Sequence, residues 1–348
     1  MNTTAKRVWQ GIPGIERTPA GRIFAVWFSG GAREPDPENT VYMTYSDDHG
    51  ATWQPPFVMA TPNEAGRAFD PNVWLDPTGC LWLFFNRSHR EKRTHGVYAR
   101  RCLKPDAPQP LWGEEFRVGF DEVPFSFRLN KPTVLSTGEW LLPVTHANEP
   151  GDDWFAGDRQ RQGVGISTDL GRSWRLYGAV ETPPWALENM IVELCDGRLW
   201  MLIRTSCGVL WQSFSSDRGR TWSEGEPTNI ASPGARFFIR RLASGNLLLV
   251  NHYRFTGRSH LTALLSTDDG KSWQEGLLLD ERENVSYPDG FQAPDGLIWI
   301  IYDRDRQGAG DILLARFREE DIIAGRLVSP DSSLRHIVNT LRTNSQSS

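Results

Sequence analysis

The eight residues Ser266-Thr-Asp-Asp-Gly-Lys-Ser-Trp273 follow the pattern S-x-D-x-G-x-[ST]-W, which returns at three other places in the chain. We expect each copy to form a tight turn, because the Asp carboxylate accepts hydrogen bonds from turn amides and the Gly tolerates a positive φ. The Trp is expected to cover the adjacent strands. The Asp residues of these turns are therefore predicted to be structural rather than catalytic: Asp48, Asp169, Asp217 and Asp268.

A second repeat consists of a small turn ending in Gly and an apolar run of strand character. One copy is Pro77-Thr-Gly79 followed by Cys80-Leu-Trp-Leu-Phe-Phe85. About six copies recur at intervals of roughly 50 to 60 residues, a period that indicates a repeat architecture. Six four-stranded units predict an all-β fold, a six-bladed β-propeller in one domain spanning residues 1–348. A β-sandwich would not repeat so regularly, and the coils of a β-helix are shorter.

Composition excludes several classes of function. The net charge of −5 argues against a nucleic-acid partner, which usually requires a basic surface. No apolar run approaches the roughly 18 residues of a membrane span, and the start of the chain has no apolar leader, so we expect a cytoplasmic protein without a membrane partner. The four cysteines form no C-x-x-C pair, and no spacing suggests a catalytic metal, so neither a metal nor another cofactor is expected.

Polar residues recur where the innermost strands of such a propeller would begin. These strands converge on the axis, so residues about 50 positions apart in sequence meet in space. We predict that five of them form one site: Asp70, Lys131, Glu188, Arg236 and Tyr287.

Two features resemble the sialidase superfamily, and the resemblance covers essentially the whole chain. One is the S-x-D-x-G-x-[ST]-W turn, known as an Asp-box. The other is the segment Glu188-Asn-Met-Ile-Val-Glu-Leu-Cys-Asp-Gly-Arg-Leu-Trp-Met-Leu-Ile-Arg204. The resemblance implies that Glu188 is a catalytic Glu and that Arg204 binds a substrate carboxylate. Arg258 has a place similar to that of the family's last site arginine. The segment Val285-Ser-Tyr287 looks like the one that supplies a nucleophilic Tyr.

The catalytic acid/base is expected in the loop Ser29-Gly-Gly-Ala-Arg-Glu-Pro-Asp-Pro-Glu-Asn39. The family's acid is an Asp, and counting back from the first Asp-box places Glu34 at its position. Asp36 and Glu38 remain as alternatives. Asp70 resembles the Asp of the family's second blade, which lines the pocket.

One position departs from the family pattern. Sialidases carry an Arg before Ile-Pro in the first blade, which completes a clamp of three arginines, whereas this chain has Gly11 there. Compensation by Arg236, Lys131 or Arg17 stays open. The polar segment Tyr302-Asp-Arg-Asp-Arg306 either borders the pocket or forms an exposed loop of ion pairs. The loop residues Trp154 and Trp185 are candidates for stacking on a sugar.

The residues predict a particular chemistry. Sialidases use a Tyr nucleophile instead of a second carboxylate, and a neighbouring Glu activates it by taking its proton. We expect an exo-acting glycoside hydrolase that removes a terminal acidic sugar from a carbohydrate partner with retention, with Tyr287, Glu188 and Glu34 as catalytic residues. Two alternatives remain on the same scaffold, a polysaccharide lyase and a non-catalytic glycan-binding propeller. Substrate binding is assigned to Arg204, Arg258, Asp70, Arg236 and Lys131.

Overall fold

The structure is a computed structural model that describes residues 7–120, 125–127, 130–147, 160–182 and 185–341. Consecutive strands form antiparallel sheets that follow one another around a ring, here called blades 1 to 6. Blade 1 contains β1 (Gln10–Arg17), β2 (Ile23–Ser29), β3 (Thr40–Ser46) and β4 (Phe57–Ala60). Blade 2 contains β5 (Arg67–Leu75), β6 (Leu81–His89), β7 (Thr94–Cys102) and β8 (Phe116–Arg117). Blade 3 contains β10 (Thr133–Val134), β11 (Trp140–Ala147), β12 (Arg161–Ser167) and β13 (Arg175–Val180).

The second half of the chain repeats this arrangement. Blade 4 contains β14 (Ala186–Glu193), β15 (Leu199–Thr205), β16 (Val209–Ser215) and β17 (Glu226–Ala231). Blade 5 contains β18 (Phe238–Arg241), β19 (Leu247–Asn251), β20 (Leu261–Ser266) and β21 (Leu277–Asp280). Blade 6 contains β22 (Val285–Gln292), β23 (Ile298–Arg304), β24 (Asp311–Phe317) and β25 (Ser333–Asn339). Within the described ranges the one α-helix is α1 (Glu319–Ala324), which connects β24 to β25.

The predicted six-bladed β-propeller is confirmed, with one addition between blades 2 and 3. There β9 (Phe125–Phe127) pairs with β11 and, in parallel, with β7, so that these two blades share one nine-stranded sheet. In the second repeat of the sequence, the turn ending in Gly connects the first and second strands of each blade, and the apolar run is the second strand. The Gly residues of these turns have φ values between 82° and 102°, as a tight turn requires.

The Asp-box turns join the third and fourth strands of blades 1, 3, 4 and 5. In the first of them, Asp48 accepts hydrogen bonds from the backbone amide of Thr52 (2.9 Å), from its hydroxyl (2.6 Å) and from the hydroxyl of Ser46 (2.7 Å). The other three boxes repeat this pattern. The Asp residues of these boxes therefore hold their turns, as the sequence predicts.

Bulges in the innermost strands position the polar site. The pairing register shifts in β1, β5, β14 and β22. At or beside each shift one residue other than Gly adopts a left-handed conformation, with φ between 46° and 59°: Ile12, Asp70, Glu188 and Tyr287. A bulge re-aims the side chain it carries, and the first strands of neighbouring blades lie against each other. Asp70, Glu188 and Tyr287 thus lie within the innermost strands, whereas Lys131 and Arg236 lie just before β10 and β18.

Blades 1 and 6 close the ring through individual hydrogen bonds. In the described part of the chain, blade 6 contains no strand from the N-terminal segment. Instead, the amide of Ile12 donates to Asp303 (2.7 Å) and the amide of Ile15 donates to Asp289 (2.9 Å). The side chain of Gln10 donates to the carbonyl of Gly310 (2.6 Å). The closure therefore combines these buried polar contacts with an apolar cluster shared by the two blades, which includes Ile15, Trp27 and Trp299.

None of the described helical residues forms a stretch long and apolar enough to cross a membrane.

Candidate functional site

Tyr287 and Glu188 meet at one guanidinium group. Arg204, on β15, donates through Nη1 to the carboxylate of Glu188 and to the hydroxyl of Tyr287, the latter over 3.2 Å. All three side chains are buried. Burial lowers the pKa of Arg204, but the adjacent Glu188 carboxylate and Tyr287 hydroxyl outweigh this effect, and the net pKa is raised. The Arg therefore stays charged and holds the Glu and the Tyr side by side.

Four guanidinium groups surround the ring of Tyr287. The Cζ atoms lie 5.9, 5.6, 5.4 and 4.3 Å from the ring centroid for Arg204, Arg236, Arg258 and Arg306 respectively. Arg236 donates through Nε to Asn130 (2.5 Å), whereas its Nη1 is buried and has no hydrogen-bond partner among the described residues. These guanidinium groups can bind an anionic ligand through charge-assisted hydrogen bonds.

The loop between β2 and β3 brings Glu34, and not Asp36, to the arginines around Tyr287. Glu34 accepts a hydrogen bond from Nη1 of Arg306 over 3.0 Å. The carboxylate of Asp36 accepts instead from the loop amides of Ala32 (3.1 Å) and Glu38 (2.9 Å). Glu38 itself is exposed. Of the three acidic residues considered for the acid/base, Glu34 is the one that contacts the arginines around Tyr287.

Asp70 is a buried carboxyl group on the bulge of β5. One of its oxygens has no hydrogen-bond partner in the described structure. Burial raises the pKa of Asp70 to about 7, and the nearby charges of Glu34 and Glu188 act in the same direction. Asp70 therefore lies beside both candidate catalytic carboxylates, and near neutral pH it exists partly in its protonated form.

Lys131 is placed differently from the rest of the predicted set. Its side chain is fully buried, and its ammonium donates to the carbonyls of Ile15 and Gly290 and to the carboxylate of Glu16. The carboxylate of Asp289 lies 3.4 Å away. These contacts join blade 3 to blades 1 and 6 and occupy the donors of the ammonium, so the geometry gives Lys131 a structural role.

Arg306 is the site residue that our assignments from sequence omitted. Its Nη2 donates to the hydroxyl of Ser286 (3.2 Å), and its Nε forms an ion pair with Asp303 (2.9 Å). Burial lowers the pKa of Arg306, but the adjacent Asp303 carboxylate, Tyr287 hydroxyl and Glu34 carboxylate outweigh this effect, so the net pKa is raised. The C-terminal end of the polar segment, Asp305 and Arg306, therefore borders the pocket. Its position directly after the buried strand β23 was the signal available in the sequence.

Two further side chains, Trp185 and His252, lie near the arginines. The ring of Trp185 lies 4.8 Å from the Cζ atom of Arg204, whereas Trp154 falls outside the described residues. His252 has its Nδ1 3.0 Å from the carbonyl of Ser259. Burial lowers the pKa of His252 to about 4, so its imidazole is neutral at physiological pH.

Among the described residues, no group of three or more His, Cys, Asp and Glu side chains is arranged to hold a metal ion.

Comparisons with known proteins agree with this architecture. The family model for BNR repeat-like domains matches residues 21–300. A sialidase from Micromonospora viridifaciens is 26% identical over 336 residues, covering 84% of this chain and 49% of that protein. The chain thus spans about half the length of this curated relative.

Solved structures extend the similarity at the level of the fold. The Hadza microbial sialidase Hz136 superposes with a TM-score of 0.74 at 19% identity, covering 90% of this chain and 66% of that one. The intramolecular trans-sialidase from Ruminococcus gnavus, in complex with oseltamivir carboxylate, gives a TM-score of 0.72 at 15% identity, covering 94% and 97%. Because the family match covers most of its residues, this chain belongs to the family of BNR repeat-like domains, as a divergent member of the sialidase superfamily.

Proposed function

We infer that this protein is an exo-acting glycoside hydrolase that removes a terminal sugar acid, of the sialic acid class, with retention of anomeric configuration. One observation carries the proposal: a single nitrogen of Arg204 contacts both the Glu188 carboxylate and the Tyr287 hydroxyl. A glycan-binding propeller has no need of a buried Glu beside a buried Tyr. The sialidase names of the relatives support the substrate class.

In the first step Glu188 acts as a general base for Tyr287. The Tyr Oη attacks the anomeric carbon while its proton passes to the Glu188 carboxylate. The glycosidic C–O bond breaks, and the leaving oxygen takes a proton from the carboxyl group of Glu34. A neutral phenol suits this attack, because a carboxylate nucleophile would be repelled by the carboxylate of the substrate.

In the second step water releases the sugar. Glu34 removes a proton from a water molecule whose oxygen attacks the anomeric carbon. The bond between that carbon and Tyr287 breaks, and the phenolate recovers its proton from Glu188. Two displacements on the same carbon give net retention.

The test is hydrolysis of a chromogenic α-sialoside by the full chain and by Tyr287→Phe. We expect turnover with the parent, a loss of at least about 100-fold in kcat with Tyr287→Phe, and the retained anomer as the first product by NMR. Tyr177→Phe is the matched control, since Tyr177 lies on β13 in blade 3. Equal turnover by the parent and Tyr287→Phe would contradict the mechanism. An unsaturated product with ultraviolet absorbance would indicate a lyase instead.

A further inference from the structure

The side chain of Arg306 lies directly over the backbone of Gly11. A Cβ atom at residue 11 would collide with Cδ and Cγ of Arg306 and would approach the Asp303 carboxylate to 2.8 Å. Arg306 therefore occupies the space into which a side chain of residue 11 would project. Gly11 is the position at which the first-blade arginine is absent from this chain.

Arg306 and Arg258 converge on one hydroxyl group. Nη1 of Arg258 is 3.5 Å, and Nη2 of Arg306 3.2 Å, from Oγ of Ser286. That hydroxyl donates its own hydrogen to Asp303 (3.0 Å). Arg306 is already paired with Glu34 and Asp303, and a ligand anion between the two guanidinium groups would be attracted by both of them. Together with Ser286 and Asp305, the two arginines line a recess of about 290 Å³, and both guanidinium groups also lie over the ring of Tyr287.

We propose that Arg306, from blade 6, replaces the missing first-blade arginine and that Arg306 and Arg258 together bind the carboxylate of the substrate in this recess. The proposal rests on the proposed function for the class of ligand. Gly11 is then a specificity-determining position, because only a residue without a side chain leaves room for Arg306. Asp303 is a positioning residue, since it holds both the Nε of Arg306 and the amide of Ile12.

The ion pair between Arg306 and Glu34 links binding to the acid/base. Without a ligand, Nη1 of Arg306 donates to Glu34 over 3.0 Å. A substrate carboxylate in the recess would compete with Glu34 for this donor. Binding then releases the Glu34 carboxyl group toward the leaving oxygen. The arginine from blade 6 thus contacts both the ligand anion and the residue that protonates the leaving group.

The test compares binding of free sialic acid with binding of its methyl ester, which has the same sugar and no carboxylate. We expect Arg306→Ala to weaken binding of the acid by about ten- to a hundred-fold and to change binding of the ester by less than about two-fold. Arg306→Lys keeps a charge beside Asp303 and should fall between the two, because it lacks the bidentate fork. The matched control is Arg304→Ala, whose ion pair is with Asp311 (3.2 Å) on the neighbouring strand.

A transplanted arginine gives a second, independent readout. We expect Gly11→Arg alone to disturb binding of the acid, because the new side chain collides with Arg306. The double variant Gly11→Arg with Arg306→Ala should recover at least part of the preference for the acid over the ester. Equal losses for acid and ester in Arg306→Ala, or no loss at all, would overturn the proposal even if sialosides are hydrolysed. A selective loss of the acid without any hydrolysis would support it and reject the proposed hydrolase.

Discussion

Glu188 lies on the bulge of β14 with a φ of 59°, and its carboxylate contacts Arg204. Glu188→Gln preserves the shape of the side chain and an oxygen that accepts from Arg204, but the amide cannot take a proton from Tyr287. We therefore expect kcat on a sialoside to fall by about 10²- to 10⁴-fold with little change in KM.

The matched control for this variant is Glu193→Gln on the same strand. The carboxylate of Glu193 binds the amide (2.7 Å) and hydroxyl (2.6 Å) of Ser136 instead of the arginines. Its kcat should stay within about two-fold of the parent. A Glu188→Gln protein that retained parental kcat would leave Tyr287 without its base and would reject the assignment.

Asp70 gives a prediction for the dependence of stability on pH. Its pKa is raised to about 7, chiefly by burial, whereas an unfolded Asp titrates near 3.9. Between these values the folded chain holds a proton that the unfolded chain has released, so its contribution to stability is present below about pH 4 and is lost as the pH rises through about 7. Asp70→Asn cannot ionise, so its melting temperature should rise relative to the parent between about pH 5 and pH 8. Thermal denaturation across this range measures the effect.

The exposed Asp47→Asn serves as the control for Asp70→Asn, since Asp47 pairs with Arg22 at the surface. Its difference in melting temperature from the parent should change little over the same range. A parallel pair of curves for Asp70→Asn and the parent would show that Asp70 does not titrate there.

At the level of the element, the Asp-box turns also join neighbouring blades. The Gly of the box in blade 3, Gly171, has a φ of 75°, and a Cβ there would lie 2.8 Å from Trp82 and 2.9 Å from Trp140. We expect Gly171→Ala to cost about 1–3 kcal/mol for overpacking, in addition to the backbone strain of a left-handed Ala. Chemical denaturation measures the change in the free energy of unfolding.

Gly197→Ala separates the two costs. Gly197 has a φ of 82°, and no atom lies within 4 Å of the Cβ that an Ala would carry. This control therefore reports the backbone strain alone. Equal destabilisation by Gly171→Ala and Gly197→Ala would show that Trp82 and Trp140 can move to accommodate the new Cβ without loss of stability. The packing of this turn against Trp82 and Trp140 would then not stabilise the contact between the blades.

The turns and strands could be predicted from short sequence patterns, whereas the bulges of the innermost strands could not. The eight consecutive residues of an Asp-box predict its turn, and each Gly turn directly precedes a run of apolar residues. Both repeats can therefore be recognised from residues that are adjacent in sequence. A left-handed Asp70, Glu188 or Tyr287 has no comparable signal, because these residue types rarely adopt that conformation and tertiary packing imposes it.

At the level of the whole molecule, Lys131 is important for stability, because its ammonium connects three blades. Lys131→Met removes the charge that compensates Glu16 (3.2 Å) and Asp289 (3.4 Å). Removing one partner of a buried ion pair typically costs about 3–5 kcal/mol, so we expect a large loss of stability and little change in KM for the folded fraction. Thermal denaturation and steady-state kinetics together distinguish this outcome from a role in substrate binding.

Arg198→Met is the control for Lys131→Met, because its ion pair with Asp196 (2.8 Å) lies at the surface. Exposed pairs of this kind contribute little to stability, because solvent and salt screen them. If Lys131→Met instead raised KM at unchanged stability, the substrate-binding role suggested by the sequence would replace the structural one.

Long-range contacts explain why Arg306 was not assigned from sequence. Counting back from an Asp-box locates Glu34, since the distance along the chain is short and the turn is recognisable. The space vacated at Gly11 is filled from the other end of the chain, across the junction of blades 1 and 6. Only the closed ring brings these two positions together, so no local pattern could pair them.

The way in which the ring closes makes the chain suitable for circular permutation. Each four-stranded blade is built from consecutive strands, and Gln10 contacts Asn339 over 2.9 Å at the seam. A short linker across that seam, with new ends opened between β17 and β18, would cut no sheet. Since Ser232 and Gly234 lie in that connection and the carbonyl of Gly234 accepts from Arg204 (2.6 Å), such a permutant would loosen one support of the site while every blade stays whole.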